Sequence, residues 1–156
     1  NSIGESALTI QENMSDIVWA VNPKNDRFEN ILQRMNQFAL EMLDAGNTVL
    51  DFSAADLAAS KLTMVQRKNL YLFFKEGINN TAKYAEAKNV WINISKKKQH
   101  IKMSIRDNGK GFDTSQQYNG NGMKSLKKRA EDLNAVLEIF SSINEGTEVR
   151  LSFKIT

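Results

Sequence analysis

Apolar residues open the chain at alternating intervals of four and three: Ile3, Ala7, Ile10, Met14, Ile17 and Val21. That is the 3.5-residue repeat of a coiled coil or helical bundle, with Gln11, Glu12 and Asp16 off the seam. The repeat predicts a bundle helix over 1–22 whose partners are other chains or further sequence. It stops at Asn22-Pro23-Lys24-Asn25, where the sole proline breaks the helix and marks the boundary with a second part, 23–156. A second helix is predicted from Asp26 as N-cap, with Glu29 at capping-box spacing. Phe28, Ile31, Leu32, Met35, Phe38, Ala39 and Met42 form its apolar face, and Gly46 is its expected C′ residue.

Val49 to Phe52 reads as a short strand, and Ser53 to Lys61 is Ala/Ser-rich. A third helix is predicted from Thr63, with Gln66 at the capping-box position, to about Ala85. Two alternating strands follow, Val90-Ile92-Ile94 and Ile101-Met103-Ile105, joined by a Lys96-Lys97-Lys98-Gln99 turn. Residues 108–121 are polar and glycine-punctuated, Met123 to Leu133 reads as a helix, and Val136 to Phe140 and Thr147 to Ile155 close as strands. The last four strands are expected to be antiparallel neighbours in an α+β two-layer sandwich.

Composition narrows the chemistry. The 156 residues include no cysteine and a single histidine, His100, which excludes disulfides, thiolate zinc, a cysteine nucleophile and multi-histidine metal sites. No apolar run is long enough to span a membrane. The chain begins Asn-Ser-Ile-Gly-Glu and reads as a piece of something longer. A net charge of +3 permits a polyanionic ligand. The lysine run at 96–98 reads as a solvated turn, so no nucleic-acid partner is expected.

Three features converge on one chemistry. Glu76, Asn80 and Lys83 stand at i, i+4 and i+7, which puts carboxylate, amide and ammonium within about 60° on an α-helix. Asn79 and Asn80 are poor helix formers side by side, and an amide oxygen beside a lysine suits a Mg²⁺–polyphosphate group. Asp107 shares strand parity with Ile101, Met103 and Ile105, so it points to the core side, where a carboxylate needs a donor. Thr147 faces inward by the parity of Val149, Leu151 and Phe153. Five of the eight glycines fall at 109, 111, 120, 122 and 146, where they let backbone approach a ligand or act as hinges. Neither a P-loop nor a dinucleotide fingerprint is present.

The order Glu76-Gly-Ile-Asn-Asn80-Thr-Ala-Lys83, Asp107-Asn-Gly109-Lys-Gly111-Phe112, Gly120-Asn-Gly122-Met123 and Gly146-Thr147 resembles the N, G1 and G2 boxes of the gyrase/Hsp90/histidine-kinase/MutL ATPase superfamily. Spacing and the short loop are most similar to sensor histidine kinases of the nitrate-sensor and desaturase-thermosensor type. The resemblance implies the Bergerat ATP-binding fold, preceded by part of a dimerisation helix, with ATP and Mg²⁺ as cofactors. It implies Asn80 as metal ligand, Lys83 as phosphate contact, and Asp107 as the group that reads adenine. Gly109, Gly111, Gly120 and Gly122 are implied as lid glycines flanked by Phe112 and Met123, with Thr147 on the adenine side. Glu76 matches the position that activates water in the superfamily's hydrolases.

The implied function is transfer of the γ-phosphoryl group to a histidine on a bundle helix. The implied partners are that phosphoacceptor helix, a response regulator receiver domain and, in the full-length protein, a second copy. The implied location is a cytoplasmic domain of a parent anchored in the inner membrane. Two departures stand out: His100 lies between a lysine-rich turn and a strand, and Tyr84 replaces the histidine many relatives carry beside Lys83. The alternatives are an ATP-hydrolysing switch of the gyrase/Hsp90 kind and a nucleotide-free assembly module using the 3–21 seam.

Overall fold

The computed structural model describes residues 17–19, 22, 24, 27–54, 57, 61–115 and 121–155. Of the N-terminal seam only Ile17 falls among them, and the predicted boundary residue Pro23 lies outside them. Residues 17–19 are helical. Trp19 packs against the body, with Arg34 4.6 Å over its ring and the Tyr71 ring centroid 6.0 Å away.

Helix α1 runs Phe28–Asp44 and buries Phe28, Ile31, Met35, Ala39 and Leu43, one stripe at helical spacing. It begins later than Asp26 capping predicts. Arg27 occupies the cap with extended backbone and no side-chain cap bond, because it is held in an antiparallel bridge with Lys61; Asp26 itself lies outside the described residues. At the other end Ala45 is the C-cap, so Gly46 is C′ as expected, but the left-handed residue is Asn47, at φ 56°.

Strand β1 is Val49–Ala54, and helix α2 is Met64–Asn80, continued by a π-wound turn over Thr81–Ala85. The Thr63/Gln66 capping box is complete: Thr63 accepts from the Gln66 N–H, and the Gln66 side chain accepts from the Thr63 N–H. Gln66 also donates to the Lys154 carbonyl at 3.0 Å, tying the helix start to the end of the sheet. Leu70, Phe73, Phe74 and Ile78 are fully buried, each worth roughly 1.5–3 kcal/mol of burial. Burial around most of its circumference makes α2 the central helix.

Strands β2 (Asn89–Lys97) and β3 (His100–Asp107) form a hairpin. Its turn is tighter than predicted: Lys96 and Lys97 belong to β2, and Lys98, at φ 58°, makes the reversal. Helix α3 (Asn121–Asp132) starts two residues before Met123, so Gly122 lies inside it. Strands β4 (Val136–Ser142) and β5 (Gly146–Lys154) complete one sheet of order β1-β2-β3-β5-β4. β1 is parallel to β2 across the α2 crossover, and the last four strands are antiparallel neighbours, as predicted.

The helices cover one face, where Ile92, Ile94, Ile101, Met103, Leu151 and Phe153 are buried against them. The other face is polar and carries cation–aromatic pairs, Arg106 over Trp91 at 4.4 Å and Arg150 over Phe140 at 4.7 Å. This is the α+β two-layer sandwich that the alternation implied. Among the described residues no helix is long and apolar enough to cross a membrane.

Candidate functional site

Where the end of α2 meets the ends of β3 and β5, a cavity of about 370 Å³ opens. That is within the usual size range of small-molecule sites. Asn80, Thr81 and Tyr84 line it from the helix side, and Asp107 and Thr147 from the sheet. Met123, Leu126, Ile139 and Val149 supply an apolar wall, with Lys110, Gly111 and Phe112 along the loop after β3.

Asp107 is the chemical centre. It is 6% exposed, and it pairs with Val90 on one side and Thr147 on the other. One carboxylate oxygen accepts the Gly109 N–H at 2.8 Å. Burial pushes its pKa up, while the backbone N–H groups of Gly109 and Thr147 pull it back. The strand parity that pointed Asp107 inward therefore has a physical outcome, a desolvated carboxylate held in place by main-chain donors.

The backbone frame around it is drawn tight. Lys110 N–H donates to the Ala85 carbonyl at 2.7 Å, and the Lys110 carbonyl accepts from Asn144 N–H at 2.6 Å. The π turn, the loop after β3 and the β4–β5 turn are thus stitched by main chain alone. Asn108 closes the neighbouring corner, accepting from the N–H groups of Lys88 and Asn89. Gly109 fits against Ala85 so closely that a Cβ there would overlap the Ala85 carbonyl oxygen. Gly111, at φ +59°, likewise lies against the Ser142 carbonyl. A Cβ on Gly77 would stand 2.9 Å from Ile105 Cδ1, so this glycine lets α2 approach the sheet beneath the cavity.

Of the residues singled out in the sequence, Asn80, Asp107, Gly111, Phe112, Met123 and Thr147 line the cavity. Glu76, Lys83 and Gly109 do not. Gly109 packs on protein backbone, Glu76 is half-buried one turn before Asn80, and Lys83 is exposed. The reason for Lys83 is the π turn. Its wider winding, with i→i+5 bonds, turns Tyr84 toward the cavity and Lys83 away, undoing the i+7 alignment with Glu76. Gly120 lies outside the described residues, and Gly122 is the second residue of α3.

Two residues escaped assignment from sequence. Among the described residues Lys110 is the ammonium-bearing residue on the lining; it stands between two glycines already singled out. Ser141 makes three polar contacts, with the N–H of Phe112 (2.9 Å), the carbonyl of Gly146 (3.1 Å) and the hydroxyl of Thr147 (2.8 Å). Its signal was parity: Leu137, Ile139 and Ser141 share the inward face of β4, and a hydroxyl there needs partners.

Comparison with known proteins supplies the family and the fold. Over 88 residues the chain is 35% identical to the signal transduction histidine-protein kinase/phosphatase DegS of Brevibacillus brevis, which covers 56% of this chain and 23% of that protein. It is 33% identical over 92 residues to the sensor histidine kinase YdfH of Bacillus subtilis (strain 168), with the same coverage. The chain thus spans about a quarter of the length of these curated relatives. Among solved structures, the histidine kinase AdeS of Acinetobacter baumannii superposes with a TM-score of 0.70 at 13% identity, over 97% of this chain and 80% of that one. The catalytic domain of histidine kinase ThkA does so at 0.69 and 11%, over 83% and 94%. These likenesses establish the Bergerat-like fold. Residues 65–156 match the family described as Histidine kinase-, DNA gyrase B-, and HSP90-like ATPase, and the chain belongs to that ATPase family.

Proposed function

We propose that the chain is the ATP-binding catalytic domain of a two-component sensor histidine kinase. It would donate the γ-phosphoryl group of ATP to a histidine on a bundle helix that this sequence does not contain. The observation that carries the reading is the buried Asp107 carboxylate, held by main-chain N–H groups at the wall of a cavity that Asn80 also lines. In this reading Asp107 accepts a hydrogen bond from the exocyclic amino group of adenine, and Met123, Leu126, Ile139 and Val149 pack on the base.

Asn80 offers an amide oxygen to Mg²⁺. Among the described residues no group of three or more His, Cys, Asp or Glu can hold a metal. A single protein oxygen, completed by phosphate and water, is the kind of site Mg²⁺ accepts. Bound there, Mg²⁺ supplies charge neutralisation. The chain's own part is to position the nucleotide and keep water out. Lys110 lines the cavity and Lys83 does not, so in this reading Lys110 is the lysine nearer the phosphates.

Glu76 is half-buried one turn before Asn80 and lies off the lining of the cavity. Relatives named as kinases support the kinase over the gyrase/Hsp90 reading. His100 opens β3 while Asp107 ends it, about 23 Å apart at strand rise, so His100 lies at the far end of the strand from the cavity. The same reading supplies a receiver domain as the next acceptor and a homodimer as the full-length state. It also makes this a cytoplasmic part of a parent anchored in the inner membrane, of the nitrate-sensor and desaturase-thermosensor type.

The test is thermal unfolding with ADP and ATP, with and without Mg²⁺. At 100 times its Kd a nucleotide adds about 2.7 kcal/mol, a rise of roughly 5–11 °C for a domain of this size. No shift with any nucleotide would sink the proposal.

A further inference from the structure

The three contacts of Ser141 fix more than loop geometry. A serine hydroxyl has one proton to donate and two lone pairs to accept with. The Gly146 carbonyl can only accept, and it lies 3.1 Å from Ser141 Oγ; the Phe112 N–H can only donate, and it lies 2.9 Å away. With the serine proton on Gly146 and one lone pair filled by Phe112, the 2.8 Å contact to Thr147 Oγ1 has one polarity left. The arrangement that fills all three contacts at once has Thr147 donating to Ser141.

A Thr147 hydroxyl whose proton is committed to Ser141 shows the cavity lone pairs only. Asp107, its partner across β3 and β5, is an acceptor whenever ionised. The two polar groups at the sheet end of the cavity therefore both accept. Where the 6-substituent of a purine meets that pair directly, an amino group brings donors, whereas an oxo group brings a third acceptor and is opposed. The ring N1, an acceptor in the first base and a donor in the second, lies beyond the pair in this pose.

We propose that Ser141 is a specificity-setting positioning residue: by fixing the polarity of the Thr147 hydroxyl, it makes the cavity prefer 6-amino over 6-oxo purine nucleotides. This rests on the nucleotide-binding reading given above. A merely structural Ser141 would change the affinity for both bases alike, so the ratio between them is the diagnostic quantity.

The experiment measures Kd by calorimetry for ADP and for inosine diphosphate, both with Mg²⁺, on the whole chain. The variants are Ser141→Ala, Ser141→Cys and Ser141→Thr. Wild type is expected to favour ADP. Ser141→Ala and Ser141→Cys free the Thr147 hydroxyl to turn and donate, so the ADP preference should shrink by roughly two- to tenfold, the weight of one hydrogen bond. Ser141→Thr keeps a hydroxyl and should keep the preference. An unchanged ratio in whichever of the Ala and Cys variants folds overturns the proposal, as does an equal loss of affinity for both nucleotides. Wild type that binds neither nucleotide would instead refute the nucleotide reading beneath it.

Discussion

Gly109→Ala tests how tightly the frame of the cavity is drawn. Gly109 is buried, and a new Cβ would overlap the Ala85 carbonyl oxygen, standing 2.7 Å from its carbon and 2.9 Å from Ala85 Cβ. The carbonyl oxygen and carbon are backbone atoms at the end of a packed helix, so the loop must move instead. Moving it breaks the 2.7 Å bond from Lys110 N–H to Ala85 and loosens the 2.8 Å bond from Gly109 N–H to Asp107. One lost hydrogen bond costs about 0.5–1.5 kcal/mol, and a buried acceptor left without a partner adds about 1–3 kcal/mol. The expected loss is about 2–4 kcal/mol, lowering Tm by roughly 5–15 °C at this chain length. Urea unfolding followed by circular dichroism measures it, with Gly46→Ala as control. There the nearest atoms to a Cβ are 3.7 and 3.9 Å away, so packing should be little disturbed. The folded Gly109→Ala protein should also bind ADP about tenfold more weakly, the effect of one to two hydrogen bonds at Asp107. Stability within about 0.5 kcal/mol of wild type, the range of a featureless surface change, would refute the argument.

Acidification should weaken ADP binding, beginning above the ordinary carboxylate range. Burial raises the Asp107 pKa in the free protein, and protonation turns one acceptor into a donor. An ionised carboxylate is the form that accepts from an amino group, so Kd rises as pH falls through the raised pKa. Asp107→Asn should bind weakly at all pH values and lose this component, read by titration calorimetry across pH. Lys110→Ala should weaken ATP more than adenosine, and by a larger factor than Lys83→Ala, since only Lys110 lines the cavity; competition binding with the two ligands separates the effects. Thr63→Val removes the N-cap acceptor and should cost about 1 kcal/mol in urea unfolding, with nucleotide affinity unchanged.

The legible part of the fold came from one-sided burial. Val90, Ile92 and Ile94 alternate because only one face of β2 meets the helices, and a period of two says so without knowledge of the partners. Thr63 and Gln66 were legible because a capping box is a local bargain between residues three apart. Asp26 misled because the start of α1 is set by the Arg27–Lys61 bridge, a contact between residues far apart in sequence. Inside the site, the inward side of Asp107 was visible through parity, whereas the alignment of Lys83 with Glu76 and Asn80 was not, because sequence spacing assumes α-winding and the π turn at Thr81–Ala85 abandons it. The contact of Gly109 with the backbone of Ala85 was not legible, because Ala85 is a residue the motif does not include. The seam from Ile3 to Val21 falls almost wholly outside the described residues.

The main-chain stitch from Ala85 through Lys110 to Asn144 has an evolutionary consequence. Its bonds use only N–H and carbonyl groups, so they survive most exchanges of the side chains at those three positions. Scaffold and selectivity are therefore separable at this rim. Replacements at 84 and 110 can retune what the cavity grips while its walls stay joined. A lineage, or a combinatorial library, could explore new ligand preferences there without first having to solve the fold again.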